Sequence, residues 1–310
     1  MSEGIRLAET ILRSACGERV RAGFSMAPLT TFRIGGPAAL YLELESERDL
    51  AAVAEAVGEA EIAFVVVGKG SNMLVSDDGF DGLVVRLGRG FRWVARDGER
   101  LTAGAAIPLP ALSGVALSHA LAGLEFGVAI PATFGGAVKM NAGAHGRELA
   151  EVVESIDVFE LSSAAKRSIP REDAGFRYRN SSLPADGIVV GAAVRLESGD
   201  AGRIRALMDE ARLWRRQVQP LAEPNCGSVF KNPPGDHAAR LIDEAGLKGL
   251  SVGGASVSTK HANFIVAAEG ARAAEVAELI RKVQDVVAAR SDVLLEPEVH
   301  LIGHFDLATR

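Results

Sequence analysis

Three short stretches of this 310-residue chain hold residue types that can do acid–base chemistry. In "NCGSVFKNP", residues 225–233, Ser228 stands between a glycine and an apolar pair. Gly-Ser before such a pair is an ordinary loop-to-strand junction. A hydrolytic serine would sit in a Gly-x-Ser-x-Gly elbow, which this stretch lacks. Ser228 is thus a turn residue, a nucleophile or something rarer. In "FRYRNS", residues 176–181, an extended backbone would put Arg177 and Arg179 on one side and Phe176 and Tyr178 on the other. Taken alone, that pattern describes a surface strand with solvated arginines. In "LLEPEVHLIG", residues 294–303, Glu296, Glu298 and His300 alternate with Leu295, Pro297, Val299 and Leu301. Pro297 confines this segment to a sheet edge or bulge. Its glutamates are solvated unless pressed against a cofactor, where one can act as an acid or an anchor. His261, at the start of a buried run, is a half-exposed histidine or a hydrogen-bond donor to a ligand.

Two further stretches suit anions and flat ligands. "GKGSN", residues 68–72, follows an apolar strand. It lacks the third glycine and following helix of a dinucleotide fingerprint, and the pattern of a Walker loop. Gly68 and Gly70 still let the chain turn with amides exposed, and Ser71 and Asn72 add side-chain donors. Residues 127–146 are rich in small residues around Pro131, Thr133, Gly135 and Gly136 and nearly free of charge. Such a backbone must approach something closely. Two loops of this kind point to one large, flat cofactor, such as a dinucleotide with a diphosphate and a planar ring.

The elements that must carry these residues follow from periodicity. Helices are expected over 4–16, from Ser46 with Asp49 closing a capping-box variant, and over 109–121, 202–217, 236–245 and 271–289. Strands are expected over 38–45, 62–67 (buried), 83–87, 92–95, 152–161, 187–197, 262–268 and 293–303. The length suggests two or three domains. A net charge of −6 argues against nucleic acid as a partner. Two distant cysteines, Cys16 and Cys226, and six scattered histidines fit no metal spacing. Neither a signal peptide nor a membrane span is expected, and the location expected is the cytoplasm.

In their order and spacing, "TTFRIGGPA", "VVVGKGSNMLVSD", "GVAIPATFGGAVKMNAGAHG", "FRYRNSSL", "NCGSVFKNP", "GLKGLSVGGASVSTKHANFIV" and "LLEPEVHLIG" resemble the UDP-N-acetylenolpyruvoylglucosamine reductases, the MurB family of peptidoglycan precursor synthesis. The resemblance runs from about residue 30 to 303. It implies an α+β fold: a two-lobed FAD-binding module of the vanillyl-alcohol-oxidase (PCMH) type over 1–200, with lobes of roughly 1–90 and 91–200, then a C-terminal α/β substrate-binding domain over 201–310. It implies non-covalent FAD, with the diphosphate near Gly68, Lys69, Gly70, Ser71 and Asn72 and the ring system near Ile130, Pro131, Thr133, Gly135 and Gly136. The catalytic residues it implies are Arg179, Ser228 and Glu298. Tyr178, Lys231, Asn232 and His261 become the expected substrate contacts. Arg215, Arg216, Lys231 and Lys260 are candidate counter-charges for the diphosphates. The chain departs from the family pattern at Ala132, where glycine is common, at His261, where some members have glutamine, and in the short loop after "FRYRNS". Some members insert a tyrosine-bearing segment there, and this chain resembles the subgroup that lacks it. Oligomeric state is not legible.

The implied reaction reduces the enolpyruvyl ether of a UDP-sugar with NADPH through FAD, the hydride going to the β-carbon. An arginine fork aimed at the developing carboxylate-side charge would stabilise the transition state. Ser228 would then protonate the α-carbon, which an aliphatic hydroxyl can do because the acceptor is a strongly basic enolate. Lys231 and neighbouring amides would stabilise the alkoxide left on Ser228. Two other readings stand beside this one. One is a different FAD-dependent oxidoreductase on the same module. The other is a non-catalytic nucleotide-sugar or flavin-binding protein.

Overall fold

The computed structural model describes residues 2–306. Its packing is not cut at one point of the chain. One unit comprises Met1–Ala22, Ala39–Gly68 and Gly82–Arg215, the other Gly23–Ala38, Lys69–Asp81 and Arg216–Arg310. No helix among the described residues is long and apolar enough to cross a membrane.

In the first unit, helix α1, Glu3–Cys16, buries Ile5, Ala8, Leu12 and Cys16 on one stripe. Helix α2, Glu47–Ala60, begins as expected: the Asp49 carboxylate accepts from the N–H groups of Glu45 and Ser46. The same carboxylate receives both prongs of the Arg19 guanidinium at 2.7 Å. These helices share a core with Leu40, Leu42 and Leu44, alternate residues of strand Pro37–Leu44. That strand lies in a four-stranded sheet ordered Arg21–Ser25, Pro37–Leu44, Phe80–Leu87, Phe64–Val66. The strand expected over 62–67 is only Phe64–Val66. It is half-buried rather than buried, because it is the edge strand, paired in parallel with 83–85.

A second, fully antiparallel sheet follows in the same unit. Its order is Ala165–Pro170, Val153–Glu160, Gly187–Arg195, Arg100–Gly104, Val94–Asp97. Helices α3, Leu109–Ser118, and α4, Phe134–Lys139, bring Leu109, Leu112, Phe134 and Val138 into the core with Ile156, Ile188 and Val194. Helix α5, Ala201–Val218, carries the chain from one unit into the next.

The second unit has a three-stranded antiparallel sheet, Ser251–Val252, Ala255–Val257 and Ile265–Ala267, with helices α6, Ala238–Glu244, and α7, Ala273–Ser291. Phe32, Ile34 and Leu74 join its core beside Phe230, Ile242, Ile265 and Leu279. The strand expected over 293–303 shortens to His300–Ile302. It pairs in parallel with Met73–Val75, which lies too far away in sequence for a hairpin signal. Asp77 caps α7, accepting from the N–H groups of Ala273 and Ala274 at 2.8 and 3.0 Å.

Candidate active site

The "FRYRNS" stretch is not extended. Arg177 and Asn180 exchange both main-chain hydrogen bonds at 3.0 Å, so Tyr178 and Arg179 form the tip of a tight turn. Arg179 has φ 55°, in the left-handed region that turns normally give to glycine. A side chain there costs roughly 1 kcal/mol or more. The Arg179 guanidinium donates to the Gly143 carbonyl at 2.9 Å and lies 4.9 Å over the ring of Tyr178. The expected alternation failed because no strand pairs with this segment; residues 139–143 hold it instead.

Ser228 and Glu298 lie in the second unit, on two segments that pair. The Val229 carbonyl accepts from the N–H of Glu298 at 2.7 Å, and Lys231 N–H donates to the Glu296 carbonyl at 2.9 Å. Phe230 and Pro297 form an antiparallel bridge. The turn before Ser228 is made by other residues: Asn225 Oδ1 accepts from Gly227 N–H at 2.9 Å, and Gly227 has φ 80°. Among the described residues, no protein group bonds the Ser228 hydroxyl. Buried Asn263 fixes Phe230, two residues past Ser228, from both sides. It accepts from Phe230 N–H at 2.9 Å and donates to the Phe230 carbonyl at 2.8 Å, and its own carbonyl accepts from Val229 N–H. Burial pushes the Cys226 thiol well up, and the charge of Glu298 pushes it the same way.

The fit of FAD can be judged from the two glycine-rich loops. Among the described residues, none of the main-chain N–H groups of residues 68–72 donates to a protein acceptor. Gly70 has φ 61°, and a Cβ there would stand 2.0 Å from the Leu29 carbonyl oxygen, so only glycine allows this turn. A run of amides without protein acceptors among the described residues, on a turn that only glycine permits, suits a diphosphate. Within the first unit Gly68 approaches Thr133 closely, since a Cβ on Gly68 would lie 2.4 Å from Thr133 Oγ1. Residues 130–136 offer surface more than donors. Phe134 and Gly135 N–H groups are taken by the carbonyls of Ile107 and Ala105 at 2.8 and 2.9 Å. Gly135 therefore approaches the turn that follows strand Arg100–Gly104, while Pro131 and Gly136 are exposed and Ile130 and Thr133 half-buried. Ala132 is absent from the positive-φ residues, so its β-carbon brings no strain. Asn72 also braces the terminal strand segment. Its side chain donates to the Glu298 carbonyl at 3.1 Å, and its carbonyl accepts from His300 N–H.

The expected substrate contacts are variously engaged. Tyr178 is exposed. Lys231 is ion-paired with Glu296 at 2.5 Å. Asn232 Oδ1 accepts from Ala238 N–H at 3.1 Å, at the start of α6, which leaves its NH₂ for a ligand. His261 Nδ1 accepts from Asn263 N–H at 3.3 Å, so the neutral ring carries its proton on Nε2 and offers a donor there. Burial, then the charge of Lys248, lowers its pKa. Lys260 donates to the Arg216 carbonyl at 2.6 Å. Sequence reasoning placed Asn141 only in the close-approach loop after Gly135 and Gly136, and passed over Lys139 and Asn263. The available signal for Asn263 was an amide inside the apolar run "ANFIV", which must find partners when buried.

The class of protein is defined by a family model described as "FAD binding domain", which matches residues 38–162. A solved structure titled "Wild-type Phl p 4.0202, a glucose dehydrogenase" has the same fold over 68% of this chain and 50% of its own, at TM-score 0.51 and 13% identity. The model for the C-terminal domain of UDP-N-acetylenolpyruvoylglucosamine reductase matches residues 219–302. The reductase of that name from Heliobacterium modesticaldum is 45% identical over 280 residues, 90% of this chain and 89% of its own length. The one from Halalkalibacterium halodurans is 40% identical, over 96% and 99%. The crystal structure of UDP-N-acetylenolpyruvylglucosamine reductase (MurB) from Thermus caldophilus aligns at TM-score 0.79 and 38% identity, covering 92% of this chain and 98% of that one. The chain belongs to the UDP-N-acetylenolpyruvoylglucosamine reductase family.

Proposed function

We propose that this protein is the cytoplasmic, NADPH-dependent flavoenzyme that reduces the enolpyruvyl ether of UDP-N-acetylglucosamine-enolpyruvate to UDP-N-acetylmuramate for peptidoglycan precursors. The structural observation that carries the reading is the Ser228 hydroxyl. It does no work in its own turn, which Asn225 and Gly227 make, yet the segment holding it is fixed on both sides by Asn263. Family membership supports the reductase over other flavin enzymes, since the glucose dehydrogenase shares the fold alone.

FAD would be held by the main-chain N–H groups of residues 68–72 and would lie against the surface of residues 130–136. No covalent link is expected, because neither stretch contains Cys or His. When bound, it would pass the hydride of NADPH to the β-carbon of the enolpyruvyl group. The planar fork of Arg179 would stabilise the charge that develops on the carboxylate side, with Glu298 supporting it by a hydrogen bond. Ser228 would give its proton to the α-carbon. Lys231 would stabilise the alkoxide, for which it must leave Glu296. Tyr178, the NH₂ of Asn232 and the Nε2–H of His261 would orient the UDP-sugar.

The test uses Ser228→Ala in stopped-flow measurements. NADPH should reduce the bound flavin at close to the wild-type rate. Reoxidation by the enolpyruvyl substrate should slow by roughly 10²–10⁴, the contribution of a positioned acid. Ser228→Cys should be partly active, since a thiol also donates. Both half-reactions intact in Ser228→Ala would sink the proposal for this residue. A folded, colourless protein unable to take up FAD would sink the flavin reading.

A further inference from the structure

The turn that presents Arg179 is held by polar groups at the C-terminal end of α4 and just after it, all within the first unit. Asn141 is fully buried and stands at φ 43°. Its Nδ2 donates to the Arg177 carbonyl at 3.0 Å, and its Oδ1 accepts from Ala150 N–H at 2.9 Å. Ser181 Oγ donates to the Lys139 carbonyl at 2.6 Å. The Lys139 ammonium donates to the carbonyls of Leu183 and Pro184 at 2.8 and 3.1 Å. These bonds anchor residues 177–184 at both ends of the arginine turn. Gly143, two residues past Asn141, accepts from Arg179 itself.

We infer that Asn141 is a positioning residue for Arg179: its amide clamps the Arg177 carbonyl and so fixes the left-handed turn that aims the guanidinium. Two observations set it apart from a merely satisfied core asparagine. Asparagine tolerates the left-handed backbone that this position requires, and both ends of its amide bond main chain, one of them the residue that closes the arginine turn. An arginine held in an unfavoured φ persists only where its surroundings over-determine it. Asn141 supplies that constraint, with Ser181 and Lys139 securing the strand of chain that leaves the turn.

The inference rests on the catalytic reading of Arg179, so the experiment is a double-mutant cycle with Arg179→Ala in the full-length holoenzyme. Asn141→Asp keeps the acceptor toward Ala150 and removes the donor toward Arg177. In the Arg179 background, reoxidation by the enolpyruvyl substrate should slow by about 10–100-fold, the cost of a misplacement near 1 Å. Flavin reduction by NADPH should stay within about twofold of wild type. Amide hydrogen exchange over residues 177–184 should quicken. In the Arg179→Ala background the second substitution should change reoxidation by less than about twofold, because a positioning residue has nothing left to position. An equal slowing in both backgrounds overturns the inference and leaves Asn141 a structural residue, as does wild-type reoxidation in Asn141→Asp. Wild-type reoxidation in Arg179→Ala alone overturns the reading of Arg179 and the inference with it. If Asn141→Asp does not fold, Ser181→Ala decides by the same criterion, since it removes one hydroxyl from the same anchor.

Discussion

Arg179 takes a backbone conformation that normally belongs to glycine. At φ 55°, glycine would fit better, and the strain of the side chain is roughly 1 kcal/mol. Arg179→Gly should therefore leave stability unchanged or raise it by up to about 1 kcal/mol in urea denaturation, part of the gain being offset by the freedom of glycine in the unfolded chain. It should also abolish most turnover. A stable variant without activity is the signature of strain kept for function; a stable and active one would make Arg179 dispensable. Arg179→Lys should bind flavin normally and lose most turnover, because an ammonium cannot make a two-pronged contact with a carboxylate.

Residues 229–231 are held to 296–298 by main-chain bonds and to Asn263 by its side-chain amide. Asn263→Ala would leave the Phe230 N–H and carbonyl buried without partners. Each such loss costs about 1–3 kcal/mol, so unfolding in urea should show a loss of at least about 2 kcal/mol, together with slower reoxidation as the Ser228 segment loosens. The strand entrance also carries a pH signal. Burial lowers the pKa of His261 from 6.5, so between that value and the lower folded one the unfolded chain binds more protons. Its contribution to stability is complete above about pH 6.5 and is lost as pH falls. Stability should drop between pH 7.5 and 5.5, and His261→Gln should reduce that drop; an unchanged drop would assign it to other groups.

The second unit is a discontinuous assembly. Its core includes Phe32, Ile34 and Leu74, and His300–Ile302 has Met73–Val75 as its sheet partner. The segment 216–310 made alone lacks Phe32, Ile34 and Met73–Val75. It should show no cooperative thermal transition and weak near-ultraviolet dichroism, whereas the full chain should show both. A cooperative melt of the isolated segment would mean that the recruited residues add little to this core.

What the sequence by itself determined were the features governed by local rules. The stripe of α1 follows from apolar spacing, and the start of α2 from Asp49 reaching back to Ser46. The glycine-dependent turn at 68–72 follows from glycines placed after an apolar strand. Seven short stretches in one order resemble a single family, and that resemblance alone proposes Arg179, Ser228 and Glu298 for the chemistry. Tertiary structure decided what depends on partners far along the chain. Alternation in "FRYRNS" suggested a strand, but a strand needs a neighbour, and the carbonyl of Arg177 found Asn141 and Asn180 instead. Residues 293–303 looked like one long strand, yet only His300–Ile302 meets another strand, and that strand is some 230 residues earlier. The Ser228 hydroxyl could be told from a turn hydroxyl only once Asn225 and Gly227 were seen to make the turn. Hydrogen-bond demand is a property of each residue, but the group that satisfies it is chosen by the packing of the whole unit.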